Sequence, residues 1–289
     1  MFFSVPLLGV PLLLSAYVQA HGFVSQITVN GKTFAGAIPS SQQSNGDSII
    51  RQIQDPSPVK GANNLAMNCG PGAFVAGQSA TVNAGDELSF DWKGGDLSLW
   101  PHNTGPMLNY LANCGNVSCS EFDSRQAKWF KISQQGKKPD ANEWFQADIM
   151  KGGQATTKIP SNIAPGNYLI RHEIIGLHIA TTEGGAEFYP SCAHLKIEGS
   201  GTGVPSEKDL VSFPGGYGDK DAGILVPDVF NDNLNYQFPG PAVANLVEAA
   251  TEGSGSGTGS GSSCNGFSPE PSATQVRARH QKRRLSPVH

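Results

Sequence analysis

The sequence predicts an all-β protein, an antiparallel β-sandwich with long loops, and three observations support this fold class. Glycine accounts for 35 of the 289 residues, well above the usual share of roughly 7%. Charged residues make up only 15% of the chain, against roughly 25% in an average soluble protein. Helical periodicity is poor, while short β-branched runs recur between glycines and prolines. A hydrophobic content of 38% is enough for a packed core, which excludes wholesale disorder.

The first twenty residues form a segment separate from this fold. They carry no charged side chain, have an apolar centre and end in the sequence Val18-Gln19-Ala20. This pattern is typical of a secretory signal peptide that is cleaved after Ala20. The alternative, an N-terminal membrane anchor, is disfavoured because Pro6 and Pro11 interrupt an apolar stretch that is already short. We therefore expect a secreted, extracellular protein with no membrane partner.

The rest of the chain is expected to form one domain and a tail. A Gly/Ser/Thr run over 253–263 indicates a flexible linker, so we predict a domain over 21–246 and a linker with a disordered basic tail over 247–289. Short strands separated by long loops favour a sandwich of the immunoglobulin or fibronectin III type. The strand signals in the domain are Phe23–Val29, Ser79–Val82, Leu88–Trp92, Tyr168–Ile175 and Ala193–Ile197.

Four of the five cysteines lie in the predicted domain, namely Cys69, Cys114, Cys119 and Cys192. A secreted protein favours disulfides, and four cysteines allow three pairings. Cys114 and Cys119 are close enough in sequence for a local bridge, and Cys69 and Cys192 would then close a much longer loop. Asn116 begins a glycosylation sequon between the two neighbouring cysteines, which predicts a glycan on this asparagine.

The charge balance limits the class of partner. The formal net charge is −4, which excludes a general nucleic-acid binder. An acidic surface suits a neutral polymeric substrate better than a polyanion.

Removal of the first twenty residues would make His21 the N-terminal residue. Such a histidine offers two nitrogens to one ion, the α-amine and imidazole Nδ1, and one further imidazole completes a three-nitrogen site. A site of this kind favours copper among the divalent metals. Because an α-amine has an ordinary pKa of roughly 7.7–8.0, the metal must displace its proton near neutral pH. The alternative is that His21 is an ordinary chain terminus.

The run that begins at His172 disfavours a zinc hydrolase. His172-Glu173 begins like the helical motif of zinc proteases, but Gly176 stands where that motif has its second histidine, and the run is β-branched. We expect His172 and His194, which lie beside apolar residues in strand-like runs, to be structural.

Seven segments, in order along the whole domain, carry a family resemblance: His21-Gly22, Trp100–Pro106, Asn109–Cys114, Gly166–His178, Phe188–Cys192, Phe213–Tyr217 and Pro239–Pro241. Each segment is a weak signal, but the ordered set resembles the fungal lytic polysaccharide monooxygenases of auxiliary activity family 9. This resemblance implies a copper-dependent oxidoreductase with one ion per chain. It also implies oxidative cleavage of cellulose or a related β-1,4-glucan at C1 and/or C4, with an external electron donor and O2 or H2O2. We expect a monomer.

The resemblance also implies roles for individual residues. His21 would bind copper through its amine and Nδ1, His102 through Nε2, and Tyr189 would place its hydroxyl at the axial position. His178 would position the oxygen species and donate a proton. The implied disulfides are Cys69 with Cys192 and Cys114 with Cys119.

One position departs from the family pattern. The residue two before the axial tyrosine is usually Gln, whereas this chain has Glu187. A carboxylate there would favour a charged imidazolium on His178 and alter proton delivery, and the alternative is that it is protonated in a partly desolvated site. With the roles implied by the resemblance, we expect His178, Glu187 and Tyr189 to act in catalysis. Tyr217 is expected to stack on the sugar, with packing inside a loop as the alternative.

Two other function classes remain open from the sequence. The first is a secreted protein of the same fold that binds copper or carbohydrate without turnover, and Glu187 is the residue that keeps it open. The second is a glycoside hydrolase, which needs a pair of carboxylates that nothing in the sequence marks.

Overall fold

The computed structural model describes residues 21–41, 46–139 and 142–248, and these ranges are mostly β-structure and loops. The predicted signal peptide and nearly all of the predicted tail lie outside the described residues. The one described α-helix, α1, spans Gln146–Met150. The strands are β1 Gly22–Val29, β2 Lys32–Ala35, β3 Ala80–Asn83, β4 Glu87–Gly94, β5 Met107–Asn113, β6 Phe130–Gln135, β7 Ala155–Lys158, β8 Gly166–Gly176, β9 Glu187–Glu198, β10 Gly203–Val204 and β11 Val247–Glu248.

The strands form two main sheets, which confirms the predicted β-sandwich. One sheet has four strands in the order β2-β1-β4-β7, and the other has five in the order β3-β9-β8-β5-β6. Adjacent strands are antiparallel except β3 and β9, which run parallel with Ala80 opposite Leu195. A parallel pair cannot be joined by a tight hairpin, and more than a hundred residues of chain separate these two strands in sequence. β11 pairs with β10, so ordered structure reaches two residues past the predicted domain end.

The space between the two sheets forms one core. Ile27 and Phe90 from the four-stranded sheet pack in a single buried cluster with Ile170 and Leu195 from the five-stranded sheet. Trp92 Nε1 donates a hydrogen bond to His172 Nε2 at 3.0 Å, which joins the two sheets through buried polar atoms. Full burial of an unpaired imidazole or indole N–H is costly, so this bond explains why His172 can lie in the core.

The outer face of the five-stranded sheet is covered by loops, which form a second buried cluster. Leu108, Leu169 and Phe188 from the sheet pack there against loop residues that include Trp129 and Phe213. Because both faces are covered, β8 is buried along most of its length and so lacks the alternating pattern of a half-exposed strand.

The two predicted disulfides are present. Cys69 is bonded to Cys192, and Cys114 is bonded to Cys119. The first bond ties the loop before β3 to the middle of β9. Asn116 is exposed between the two cysteines of the second bond, and its glycosylation stays a prediction. In the described part of the chain, no helix is long and apolar enough to cross a membrane.

Candidate metal centre

The loop between β4 and β5 carries His102 and is fastened to the end of β8. Leu177 N donates to Thr104 O at 2.9 Å, and Ile175 N donates to Pro106 O at 3.0 Å. Between them, Gly105 has φ +127°, and a Cβ there would lie 2.0 Å from the Ile175 carbonyl oxygen. Only glycine allows this close approach of the two backbones.

This fastening brings two imidazoles together. The rings of His102 and His178 are stacked, with centroids 4.3 Å apart and an interplanar angle of 17°. The side chain of His102 is 10% exposed and that of His178 is 30% exposed, so the pair lies at the edge of the domain. The sequence-predicted positions 102 and 178 are therefore neighbours in space.

The start of β9 adds a carboxylate and a phenol to the same place. Glu187 and Tyr189 are two residues apart on the strand and share a face. Tyr189 donates its hydroxyl hydrogen to Glu187 Oε2 at 2.9 Å. His102 Nε2 lies 3.3 Å from the Tyr189 hydroxyl and 3.6 Å from Glu187 Oε2. His178 Nε2 lies 3.7 Å from the same Oε2.

The electrostatics of this cluster keep the carboxylate charged and the phenol neutral. Burial alone would raise the pKa of Glu187, but the hydrogen bond from Tyr189 and the positive charge of Lys60 outweigh it and lower the pKa. Burial, followed by the negative charge of Glu187, raises the pKa of Tyr189 far above its ordinary value. The cluster therefore holds one anion beside a neutral hydroxyl.

The residues present suit a bound copper ion. Potential ligand atoms of His102, His178 and Glu187 lie within 4.8 Å of one another. Imidazole nitrogens with a neighbouring oxygen donor form a site that copper accepts readily, and none of these donors is a thiolate. The fit of copper to this site therefore rests on the convergence of these three side chains.

His21 lies immediately before β1, next to the indole that supports this cluster. Its carbonyl oxygen accepts a hydrogen bond from Gly95 N at 2.8 Å. A Cβ on the next residue, Gly22, would lie 2.9 Å from the Trp100 ring. That ring makes edge contacts with His102 at 5.2 Å and Tyr189 at 4.9 Å, measured between centroids.

The His21 side chain lies near Asp55. Hydrogen bonds from Ser57 chiefly lower the pKa of Asp55, and the charge of His21 adds to that effect. Among the described residues, the converging ligand group does not include His21. In the full-length chain its backbone nitrogen is bonded to Ala20, so it cannot act as an amine ligand before cleavage. The role of His21 as a metal ligand stays a prediction.

The expected sugar-stacking role of Tyr217 is wrong. This side chain is 5% exposed, and its hydroxyl lies 2.9 Å from that of Tyr110 and donates to Glu173 at 2.8 Å. Its ring packs edge-on against Phe213. Both faces of the Tyr217 ring therefore lie inside the loop cluster, which agrees with the alternative prediction that this residue packs inside a loop.

Phe230 is an exposed aromatic that sequence reasoning missed. It is 66% exposed and lines a surface cleft together with Trp144 and Asn103, the residue that follows His102. An isolated aromatic between Asp228 and Asn231 in a polar loop was the available signal. Because its exposed ring shares this cleft with the residue next to His102, Phe230 is a candidate for a substrate contact.

The described structure resembles known proteins throughout the domain. The profile of Auxiliary Activity family 9 (formerly GH61) matches residues 21–237. An AA9 family lytic polysaccharide monooxygenase D from Gloeophyllum trabeum is 49% identical over 231 residues, which cover 80% of this chain and 66% of that relative.

Solved structures give the same result. The extended catalytic domain of H. jecorina LPMO9A superposes with a TM-score of 0.70 at 32% identity, covering 77% of this chain and 90% of that one. A cellulose-active polysaccharide monooxygenase from M. thermophila superposes with a TM-score of 0.68 at 32% identity, covering 78% and 100%.

Proposed function

The chain belongs to auxiliary activity family 9, the lytic polysaccharide monooxygenases, and on this basis we propose that it cleaves cellulose or a related β-1,4-glucan at C1 and/or C4. Membership makes it a copper-dependent oxidoreductase that breaks polysaccharide chains oxidatively. The observation that carries the proposal is the convergence of His102, His178, Glu187 and Tyr189 at one end of β8 and β9.

The proposed metal ligands are the amine and Nδ1 of His21, Nε2 of His102 and the hydroxyl of Tyr189, with one copper ion per chain. When bound, copper supplies one-electron redox chemistry on O2 or H2O2 with electrons from an external reductant, which no side chain provides. For His21 to offer its amine, the first twenty residues must be removed, so the proposal includes secretion and cleavage after Ala20.

The surrounding side chains hold protons in defined places. Tyr189 keeps its hydroxyl proton and donates it to Glu187 Oε2. A proton on His178 Nε2 faces the negative charge of the same oxygen, 3.7 Å away. His178 is 30% exposed, so it can exchange that proton with a molecule entering from solvent. Glu187 and His178 are thus the proposed proton-handling pair of the site.

The substrate contact is proposed to involve the exposed ring of Phe230 in place of Tyr217. A half-buried cluster beside an exposed aromatic suits a polymer bound on the surface. One structural relative is described as cellulose-active, which favours cellulose over xyloglucan and other β-linked glucans. We propose that the protein acts as a monomer.

The test uses secreted, correctly processed protein. Mass spectrometry of the intact protein should place His21 at the N-terminus, and one equivalent of copper should give a single Cu(II) EPR signal. With ascorbate, cellulose should release oxidised oligosaccharides whose masses and fragmentation distinguish C1 from C4 products. The variant His21→Ala should lose both the signal and the products, with the variant Lys196→Met as a folded control.

Each alternative gives a different result. A non-catalytic copper protein would give the EPR signal without oxidised sugars. A hydrolase would release sugars without reductant and in the presence of a copper chelator. A His21→Ala variant that kept both signals would overturn the assignment of the site.

A further inference from the structure

We propose that Lys60 is a positioning residue of this centre, which fixes the Glu187 carboxylate and keeps one of its oxygens turned away from the imidazoles. This inference rests on the proposed function, because it concerns the same site. Nothing in the sequence marks Lys60, which lies in a loop more than a hundred residues before Glu187.

The two oxygens of the Glu187 carboxylate have different partners. Oε1 lies 3.2 Å from Lys60 Nζ. Oε2 accepts the Tyr189 hydroxyl and faces the Nε2 atoms of His102 and His178. The carboxylate is thus held between a lysine on one side and the proposed metal-binding groups on the other.

The backbone places Lys60 in this position. The preceding residue, Val59, exchanges two backbone hydrogen bonds with Phe188, at 2.8 and 3.1 Å, so Lys60 lies beside the start of β9. Lys60 Nζ also donates to the Gly185 carbonyl at 3.0 Å. On the other side of the loop, Ala62 N donates to Asp219 Oδ1 at 2.6 Å. Both ends of this short segment are therefore anchored.

Charge compensation explains why the site needs this lysine. The Glu187 side chain is only 8% exposed, and a buried carboxylate is costly unless it is paired. Without Lys60, the nearest nitrogen atoms to Glu187 Oε2 among the described ion pairs are Nε2 of His102 and Nε2 of His178, at 3.6 and 3.7 Å. The free carboxylate could then turn so that both oxygens face His102 and His178. Lys60 prevents this by occupying one oxygen.

The experiment compares four variants of the processed, full-length secreted protein: Lys60→Met, Lys60→Arg, Glu187→Gln and the double variant Lys60→Met with Glu187→Gln. Lys196→Met is the matched control, because Lys196 pairs with Glu198 at 2.8 Å near the far end of the same strand. The readouts are the Cu(II) EPR parameters, the Kd for Cu(II), and the unfolding temperature of the copper-free protein, which checks folding.

Removal of the lysine charge should leave a negative charge beside the metal. Lys60→Met should therefore change the EPR spectrum and tighten Cu(II) binding by about fivefold, a modest figure because Lys60 is partly exposed and screened. Lys60→Arg, which keeps the positive charge, should retain the wild-type EPR spectrum. In the Glu187→Gln background, Lys60→Met should produce no further change in the spectrum, because no carboxylate remains to turn.

The inference is overturned if Lys60→Met matches Lys196→Met in both copper readouts. It is also overturned if the spectral change is equally large in the Glu187→Gln background, since the lysine would then act only as a surface charge. Failure of the proposed function is a separate outcome: the wild-type protein itself would bind no copper.

Discussion

The end of β8 and the start of β9 each carry a glutamate, and the contrast between the two separates structure from function. Glu173 is fully buried, forms two bonds with the Arg171 guanidinium at 2.6 and 2.9 Å, and accepts the Tyr217 hydroxyl. Glu187 also has a cation and a tyrosine, but the cation is a half-exposed lysine at 3.2 Å. Its remaining neighbours are imidazoles at 3.6 and 3.7 Å.

This difference shows what makes one carboxylate available for chemistry. Around Glu173, the Arg171 guanidinium and the Tyr217 hydroxyl donate three hydrogen bonds to a side chain that solvent does not reach, so the carboxylate is already paired and satisfied. Around Glu187, the imidazole nitrogens are too far away for good hydrogen bonds, although they are close enough to share an ion. The arrangement around Glu173 stabilises the fold, and the arrangement around Glu187 is suited to bind a metal ion.

The largest expected effect is on stability, and it tests the buried ion pair of Arg171 and Glu173. Arg171→Met should lower the free energy of unfolding by about 3–5 kcal/mol, because it leaves the Glu173 carboxylate buried without its charged partner. Urea unfolding of the copper-free protein measures this loss. Glu187→Gln should cost less than about 1 kcal/mol in the same assay, because an amide can still accept from Tyr189 and the partner cation, Lys60, is 44% exposed. Equal costs for the two variants would contradict the contrast between the two glutamates.

The second prediction concerns a buried histidine and pH. Burial, with a further contribution from the charge of Arg171, lowers the pKa of His172 from 6.5 to about 3. Between these values the unfolded chain binds a proton at this imidazole and the folded chain does not. The free energy of unfolding should therefore fall as the pH falls below 6.5, by about 1.4 kcal/mol per pH unit from this group.

A glutamine isolates that contribution. The variant His172→Gln should reduce the slope of unfolding free energy between pH 6 and pH 5 by about 1.4 kcal/mol per unit. His194, whose pKa burial also lowers to about 3, should keep its own share of the slope. An unchanged slope in His172→Gln would mean that the buried imidazole accepts a proton in the folded protein.

The smallest expected effect lies on the surface beside the open site. Phe230→Ala should weaken binding to insoluble cellulose about fivefold, because roughly 1 kcal/mol of ring burial is lost. Copper affinity and the free energy of unfolding should not change, since the ring is 66% exposed. Leu65→Ala, at an 81% exposed apolar position elsewhere, is the control. Equal binding by both variants would exclude Phe230 from the substrate contact.

The sequence predicted the fold best where strands are bounded by clear turns. Residues 23–29, before the turn at Asn30-Gly31, form most of β1. The start of β9 was not predicted, because Pro190 and Cys192 interrupt its pattern and its first residues read as a loop. β5 was not assigned either, since burial on both faces removes the alternation that marks a strand.

The site was predictable only in part. His102, His178 and Tyr189 were found through a resemblance to related sequences, and the structure places them together. Tyr217 and Phe230 both lie in glycine- or asparagine-rich loops, and burial alone decides which ring faces solvent. That property depends on packing against distant residues such as Tyr110 and Glu173, and single-sequence patterns do not report it. The pairing of Lys60 with Glu187 is unpredictable for the same reason, because it joins residues that are distant in sequence.

The close packing at Gly22 has a practical consequence for anyone who produces this protein. A side chain there would meet the Lys93 carbonyl oxygen at 2.3 Å as well as the indole ring of Trp100, while the His21 carbonyl is bonded to Gly95. The backbone at His21 and Gly22 is therefore fixed in place, and a leftover start methionine or purification tag ahead of His21 would occupy the amine that we propose as a metal ligand. Affinity handles belong at the opposite terminus, and expression hosts should be chosen for faithful leader processing before yield.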